Sequence, residues 1–207
     1  MPELKKYGIF GGAFNPPHLA HSIIARDVME QIDLEKMIFI PCGIPPLKGE
    51  VIAPEHRLNM TKIAFENERG FEVSDIEIYE TDKTQNEKIL RNDKSYTINT
   101  LIYLHSEYHN QNVRFHLIIG IDNLIDFPKW KNPGKIFQLA EIVVVNRPYS
   151  NVLEVRPEYS EKVKFLKVPM LEISSTLIRE KVKNKKSIKH LVLPEIEEYI
   201  LINDLYK

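Results

Sequence analysis

The chain has 207 residues, 43% of them apolar, which is enough for one real hydrophobic core and suits a single domain with at most a small appendage. Its 28 basic and 29 acidic residues nearly cancel, so no global field favours nucleic acid or an anionic membrane as a partner, and any anion site must be local. A single cysteine, Cys42, excludes an internal disulfide, no apolar run reaches the ~18 to 20 residues of a membrane span, and MPELKK leads straight into a strand, so the expected compartment is the cytoplasm.

The first element is the stretch Tyr7 to His21, YGIFGGAFNPPHLAH. Ile9 and Phe10 give a short apolar strand, and Gly11-Gly12 lets the backbone turn tightly and come close to a ligand with no Cβ in the way. Pro16 and Pro17 suit a helix entrance, so a helix is predicted from His18 toward Ile32 with Leu19, Ile23, Val28 and Ile32 inward. At spacing i, i+3, His18 and His21 share its first turn, where orphan amides and the positive dipole end attract phosphate. Gly-Gly followed by Pro-Pro is also common as an ordinary loop. A histidine pair can bind zinc, but zinc needs three or four ligands and Cys42 has no cysteine partner. The pattern is neither a dinucleotide fingerprint nor a Walker A loop, so it reads as a different kind of nucleotide phosphate site.

Met37 to Pro41 is a second apolar strand, followed by the loop CGIPPLKGEVIAPE, in which Lys48 is either a phosphate contact or a solvated lysine. Pro54-Glu55 opens a helix through about Asn67, whose HRLNM stretch (from His56 and Arg57) reads as structural. FEVSDIEIY, Phe71 to Tyr79, alternates like a strand, and Thr81 to Lys94 is long enough to be a mobile flap or a short helix. Ser95-Tyr96-Thr97 is expected to cap a helix through about Tyr108.

RFHLIIG, Arg114 to Gly120, is a central strand by its apolar run. Asp122 then lies at its carboxyl end, where it either accepts ribose hydroxyls or caps the next helix. Trp130, the only tryptophan, sits among loop-like polar neighbours, which favours a surface-facing ring over a core one. EIVVV, Glu141 to Val145, is another buried strand, and Arg147 at its end is able to hold a phosphate bidentately. After a polar connection, VKFLKV, Val163 to Val168, forms the last strand. Ile173-Ser174-Ser175-Thr176 then opens a helix that carries Arg179 one turn on, and Pro194 to Tyr206 is an amphipathic helix. Alternating strands and helices predict an α/β fold, a Rossmann-like parallel sheet with helices on both faces. The domain spans 1–207, with a C-terminal helical part over about 173–207.

GGAFNPPHLAH resembles the Gly-Gly-(Ser/Thr)-Phe-(Asp/Asn)-Pro-x-His-x-(Gly/Ala)-His signature of the HxGH nucleotidyltransferases, which also resemble class I aminoacyl-tRNA synthetases. Ala13 stands where that signature usually has Ser or Thr, and Ala20 where it usually has Gly. SYTINTL, IGIDNLIDFPKW, ISSTLIR and the chain's ending resemble, in order, segments of the nicotinate mononucleotide adenylyltransferases. The resemblance implies a nucleotidyltransferase fold and the joining of ATP to nicotinate mononucleotide, giving deamido-NAD and pyrophosphate. It implies that His18, His21 and Arg179 act in catalysis, and that Gly11, Gly12, Ala13, Phe14, Lys48, Gly120, Asp122, Ile173, Ser174 and Ser175 bind ATP. Tyr96, Thr97, Trp130 and Arg147 would meet the nicotinate nucleotide.

The mononucleotide phosphate is already an anion, so no general base is needed and catalysis is positioning with charge neutralisation. Magnesium is expected on the ATP phosphates, with no protein-built metal cage, and a homo-oligomer is compatible with the sequence. Two rivals are another HxGH adenylyltransferase, acting on nicotinamide mononucleotide or pantetheine phosphate, and a nucleotide sensor without chemistry.

Overall fold

The computed structural model describes residues 3–46, 51–82, 87–146 and 155–207. Among these, β1 (Lys5–Gly12), β2 (Lys36–Pro41) and β3 (Phe71–Val73) build outward on one side of a parallel sheet. A separate antiparallel pair follows, β4 (Tyr79–Asp82) with β5 (Glu87–Leu90). The chain then returns to the middle, where β6 (Val113–Gly120) pairs with β1, and β7 (Glu141–Val145) and β8 (Lys164–Leu166) extend the other side. The order β3-β2-β1-β6-β7-β8 reverses between β1 and β6. A crevice opens at such a switch point beyond the carboxyl ends of the strands, because the loops leaving the two central strands diverge to opposite faces.

Helices α1 (Leu19–Ile32), α2 (Pro54–Phe65), α3 (Thr97–Glu107), α4 (Ile121–Asp126), α5 (Pro133–Leu139), α6 (Pro157–Ser160), α7 (Ser175–Lys183) and α8 (Pro194–Ile202) complete the order among the described residues, with a 3-10 turn at Phe127–Lys129. Strands covered on both faces read as continuous apolar runs, and their period-2 alternation sorts them into two cores. Met37, Phe39, Ile118, Val143 and Val145 face one core, and Ile38, Ile40, Leu117, Ile119 and Val144 the other. The first core also holds Ile178, Ile188, Val192, Ile196, Ile200 and Leu205, so α7, α8 and the segments between and after them share the core of α1 and α2. Gly8 lets the Met37 and Leu34 side chains pack against the strand, since a Cβ there would lie 2.7 Å from the Met37 sulfur and displace them.

The structure departs from the sequence expectations in five places, one being that the helix expected over Pro194 to Tyr206 ends at Ile202 and the chain turns left-handed at Asp204 and Tyr206. The strand expected over Phe71 to Tyr79 ends at Val73, because the Ile78 and Tyr79 amides both return to the Asp75 carbonyl, at 2.8 and 2.9 Å, and reverse the chain. Ile78 is nonetheless buried. The described parts of the segment read as a flap or short helix, residues 81–94, contain the β5 arm of the hairpin instead. Ile23 faces outward at 41% exposure, while Ala25, Val28, Met29 and Ile32 form the buried stripe of α1. Finally, α3 is capped by Tyr96 with no side-chain bond. The Ser95 hydroxyl, expected as the cap, accepts the Gly43 amide at 2.9 Å.

Candidate active site

At the end of β1, a Cβ on Gly11 would meet nothing within 4 Å, so this backbone faces open space at the crevice. Phe14 then turns the chain with φ 47°, a left-handed conformation that costs an ordinary residue about 1–2 kcal/mol. Its ring offsets that cost by packing edge-on against Phe39 and Phe65 in the core. Only the Phe14 backbone is therefore left for a nucleotide, since its ring is 2% exposed. Asn15, Pro16, Pro17 and His18 are buried in turn, and the Asn15–Pro16 peptide is cis.

His18 is the N-cap of α1, and its backbone N–H donates to His21 Nδ1 at 3.1 Å. The two imidazoles stack with centroids 3.7 Å apart, and Phe14 meets the His21 ring at 5.1 Å. Because Nδ1 of His21 is engaged as an acceptor, the proton of its neutral ring belongs on Nε2. The histidine pair thus closes the helix end with one set of atoms and keeps a donor on another.

The second helix end comes from the far part of the sequence. Ser174 caps α7, its hydroxyl oxygen accepting the Leu177 amide at 3.1 Å. The Ser175 hydroxyl donates to the Pro16 carbonyl at 2.7 Å, and Arg179 donates to the Asn15 carbonyl at 2.9 Å and to the Thr176 hydroxyl at 3.2 Å. The Leu19 amide, in the first turn of α1, donates to the Leu191 carbonyl at 3.0 Å. The starts of α1 and α7 are thereby locked to one loop, and both bring partial positive charge to it. Ile173 precedes the α7 cap and packs against the first core.

Arg57 holds the other side of the loop. Fully buried, it donates to the carbonyls of Ala13, Cys42, Gly43 and Ile52, at 3.1, 2.5, 2.6 and 3.0 Å. It ties the turn after β1 to the turn after β2, which gives the structural reading of HRLNM a physical content.

Residues 9–181 match the family described as Cytidylyltransferase-like. A "Probable nicotinate-nucleotide adenylyltransferase" of Clostridium tetani is 38% identical over 99% of this chain and 100% of its own length. One of Caldicellulosiruptor saccharolyticus, named in the same words, is 36% identical over 98% of this chain and 99% of its own length. The chain belongs to the nicotinate-nucleotide adenylyltransferase family. It is a nucleotidyltransferase. Its fold is that of the Plasmodium falciparum nicotinic acid mononucleotide adenylyltransferase complexed with NaAD, with a TM-score of 0.75 at 19% identity, covering 98% of this chain and 97% of that one.

The segments SYTINTL and IGIDNLIDFPKW also meet. Gly120 ends β6 and is the N-cap of α4, and Asp122 stands exposed in the first turn of α4. Trp130 is half-buried, with its ring 5.0 Å from Phe127, so one face is packed and the ring is less free than its polar neighbours suggested. Next to it, Lys131 sets its ammonium 4.6 Å from the Tyr96 ring centroid, which joins the Trp130 segment to the start of α3. Thr97 is the first residue of α3. Lys48 and Arg147 lie outside the described residues.

Behind Tyr96 is a pocket of about 50 Å³ that reaches Glu77, Arg91, Ser95, Asn99 and Thr100. Glu77 keeps some exposure as a residue, yet its carboxyl is enclosed, and burial raises its pKa. Hydrogen bonds from Thr100 (2.5 Å) and Ser95, with the nearby Arg91 and Arg57 charges, oppose that rise. Two members of the SYTINTL motif therefore serve Glu77. Sequence reasoning passed over Glu77, Asn15 and Tyr206. Asn15 and Tyr206 had a signal, one inside the histidine motif and the other in the chain's ending, while Glu77 had none.

Proposed function

We propose that this chain transfers the adenylyl group of ATP to nicotinate mononucleotide, releasing pyrophosphate and leaving deamido-NAD. The observation that carries the reading is the docking of Ser175 and Arg179 onto Pro16 and Asn15. It brings the two phosphate-type motifs, 159 residues apart in sequence, to one crevice. The family's relatives support the choice of acceptor.

In the reaction, a phosphate oxygen of nicotinate mononucleotide forms a bond to the α-phosphorus of ATP. The bond from that phosphorus to the bridging oxygen breaks, and its electron pair leaves with pyrophosphate. No proton must be removed from the nucleophile, so the chain's task is to hold both nucleotides in line and to meet the charge that develops. His21, through Nε2–H, and His18 donate to the α-phosphate. The backbone of Gly11, Gly12, Ala13 and Phe14 lines the phosphate path, so the hydroxyl missing at Ala13 leaves its amide donor in place. Ile173, Ser174 and Ser175 offer the α7 helix end to the departing phosphates; the Ser175 hydroxyl is already committed to Pro16, which leaves its amide. Arg179 holds the loop and keeps further N–H donors for phosphate. Gly120 and Asp122 meet the ATP ribose, while Tyr96, Thr97 and Trp130 meet the pyridine ring. Lys48 and Arg147 are proposed as phosphate contacts from their charge and position at strand ends.

Magnesium enters as part of the substrate, on the hard phosphate oxygens it prefers. The C-terminal helices share a core with α1 and α2, which favours one domain over 1–207, and a substrate such as ATP is met in the cytoplasm. Pyrophosphate release by the purified protein, with ATP and each of nicotinate mononucleotide, nicotinamide mononucleotide and pantetheine phosphate, tests the reading. Release with nicotinate mononucleotide and mass-spectrometric detection of deamido-NAD is the expected result; release only with another acceptor, or none, overturns it.

A further inference from the structure

The site loop has an anchor that neither histidine motif nor ISSTLIR contains. After α8 ends, Asp204 and Tyr206 both adopt left-handed backbone conformations, with φ 56° and 65°. The Leu205 amide returns to the Ile200 carbonyl at 3.1 Å. Such conformations are disfavoured for residues with a Cβ and persist where surrounding contacts fix them. Here they fold the chain back, so that Leu205 is buried in the first core and Tyr206 packs against it. The Tyr206 hydroxyl then donates to Asn15 Oδ1 at 2.8 Å.

Asn15 is 5% exposed, so its side-chain oxygen has little access to water as a substitute donor. Its backbone carbonyl is the acceptor of Arg179, and its neighbour Pro16 is the acceptor of Ser175. Asn15 is thus fixed from two sides by residues far apart in sequence, three positions before His18. Burial raises the Tyr206 pKa against the opposing charges of Arg179 and Arg57, so the hydroxyl remains a donor throughout the working pH range.

We propose that Tyr206 is a positioning residue for adenylyl transfer, acting through Asn15 to hold the loop that carries His18 and presents the Arg179 acceptor. The proposal rests on the adenylyl-transfer reading for its kinetic consequence, but the latch itself is independent of it. Loss of the bond frees Asn15 to shift, and small misplacements of a catalytic group cost heavily in rate.

The experiment compares wild type with Tyr206→Phe, which removes only the hydroxyl. Amide hydrogen exchange is read at Ala13, Phe14, Asn15 and His18, and steady-state kinetics are read with ATP and nicotinate mononucleotide. Expected are exchange about tenfold faster in this loop with the β1 and β6 strands unchanged, and a kcat lowered on the order of tenfold with KM for nicotinate mononucleotide within twofold. A double-mutant cycle with Asn15→Ala should be non-additive, the double variant being no worse in kcat than Asn15→Ala alone. Unchanged loop exchange, or additive losses, overturns the latch. A wild type that makes no deamido-NAD overturns the adenylyl-transfer reading, and the exchange comparison still decides the role of Tyr206.

Discussion

The backbone amide of His18 and the Nδ1 atom of His21 are hydrogen-bonded at 3.1 Å, so one catalytic candidate completes the helix cap that positions the other. Reciprocal caps of this kind usually employ Glu or Gln at the third helical position. His21→Gln should therefore keep the cap and lose the imidazole. We predict a stability within ~1 kcal/mol of wild type and a kcat lower by at least ~10²-fold, the range for removing one preorganised donor to developing charge. His18→Ala should lose similar activity. Thermal melts with single-turnover kinetics check both, and near wild-type turnover in His21→Gln would reduce that residue to a cap.

Arg179 bridges the Asn15 carbonyl and the Thr176 hydroxyl, which a planar fork reaches together and an ammonium does not. For Arg179→Lys we predict kcat/KM for ATP lower by about 10-fold or more, and for Arg179→Ala a larger loss, with nicotinate mononucleotide KM little changed. Equal ATP kinetics in all three proteins would confine Arg179 to structure.

Arg57 is a stability prediction instead. Arg57→Ala leaves the carbonyls of Ala13, Cys42, Gly43 and Ile52 without their donor. Each buried polar group left unsatisfied costs about 1–3 kcal/mol, so the variant should lose at least ~3 kcal/mol in chemical denaturation. A loss below ~1 kcal/mol would mean that water replaces the guanidinium.

Glu77 gives a pH dependence. Its pKa is raised chiefly by burial, so the folded state binds its proton more tightly than the unfolded state does. The contribution is fully favourable below the ordinary carboxyl value of 4.5 and is lost as pH rises through the folded-state value. Glu77→Gln cannot ionise. Its stability relative to wild type should therefore improve as pH is raised from about 5 to 8. A difference in melting temperature that stays flat, or moves the other way, contradicts the buried-carboxyl account.

The last prediction concerns the acceptor. α3 starts at Thr97 without a side-chain cap, which leaves first-turn amides and the positive dipole end beside Tyr96. A nicotinate carboxylate can accept there, whereas the amide NH₂ of a nicotinamide meets donors with no acceptor. We predict kcat/KM for nicotinate mononucleotide above that for nicotinamide mononucleotide by on the order of 10² or more. Trp130→Ala should raise KM for both alike, since stacking does not distinguish them. Equal kcat/KM values for the two acceptors in wild type would remove the α3 terminus from the specificity argument.

The sequence by itself determined what is local. Apolar runs such as Met37 to Pro41 and Glu141 to Val145 reported strands buried on both faces, and the Gly, Pro and Ser positions reported turns and helix entrances. The order of motifs pointed to the family. These signals survive because a strand's period, a proline's missing N–H and a cap's spacing act over a few residues. Even so, FEVSDIEIY misled, because the Asp75 carbonyl takes the Ile78 and Tyr79 amides and reverses the chain within it. Only the tertiary structure decided how the site is held. Arg179 and Tyr206 meet Asn15 across 164 and 191 residues, Ser175 meets Pro16 across 159, and Arg57 collects carbonyls from separate turns. A long-range hydrogen bond has no period and no spacing to read. Its donor and acceptor are common residue types, and which pair meets is fixed only when the sheet order brings two helix ends to one loop.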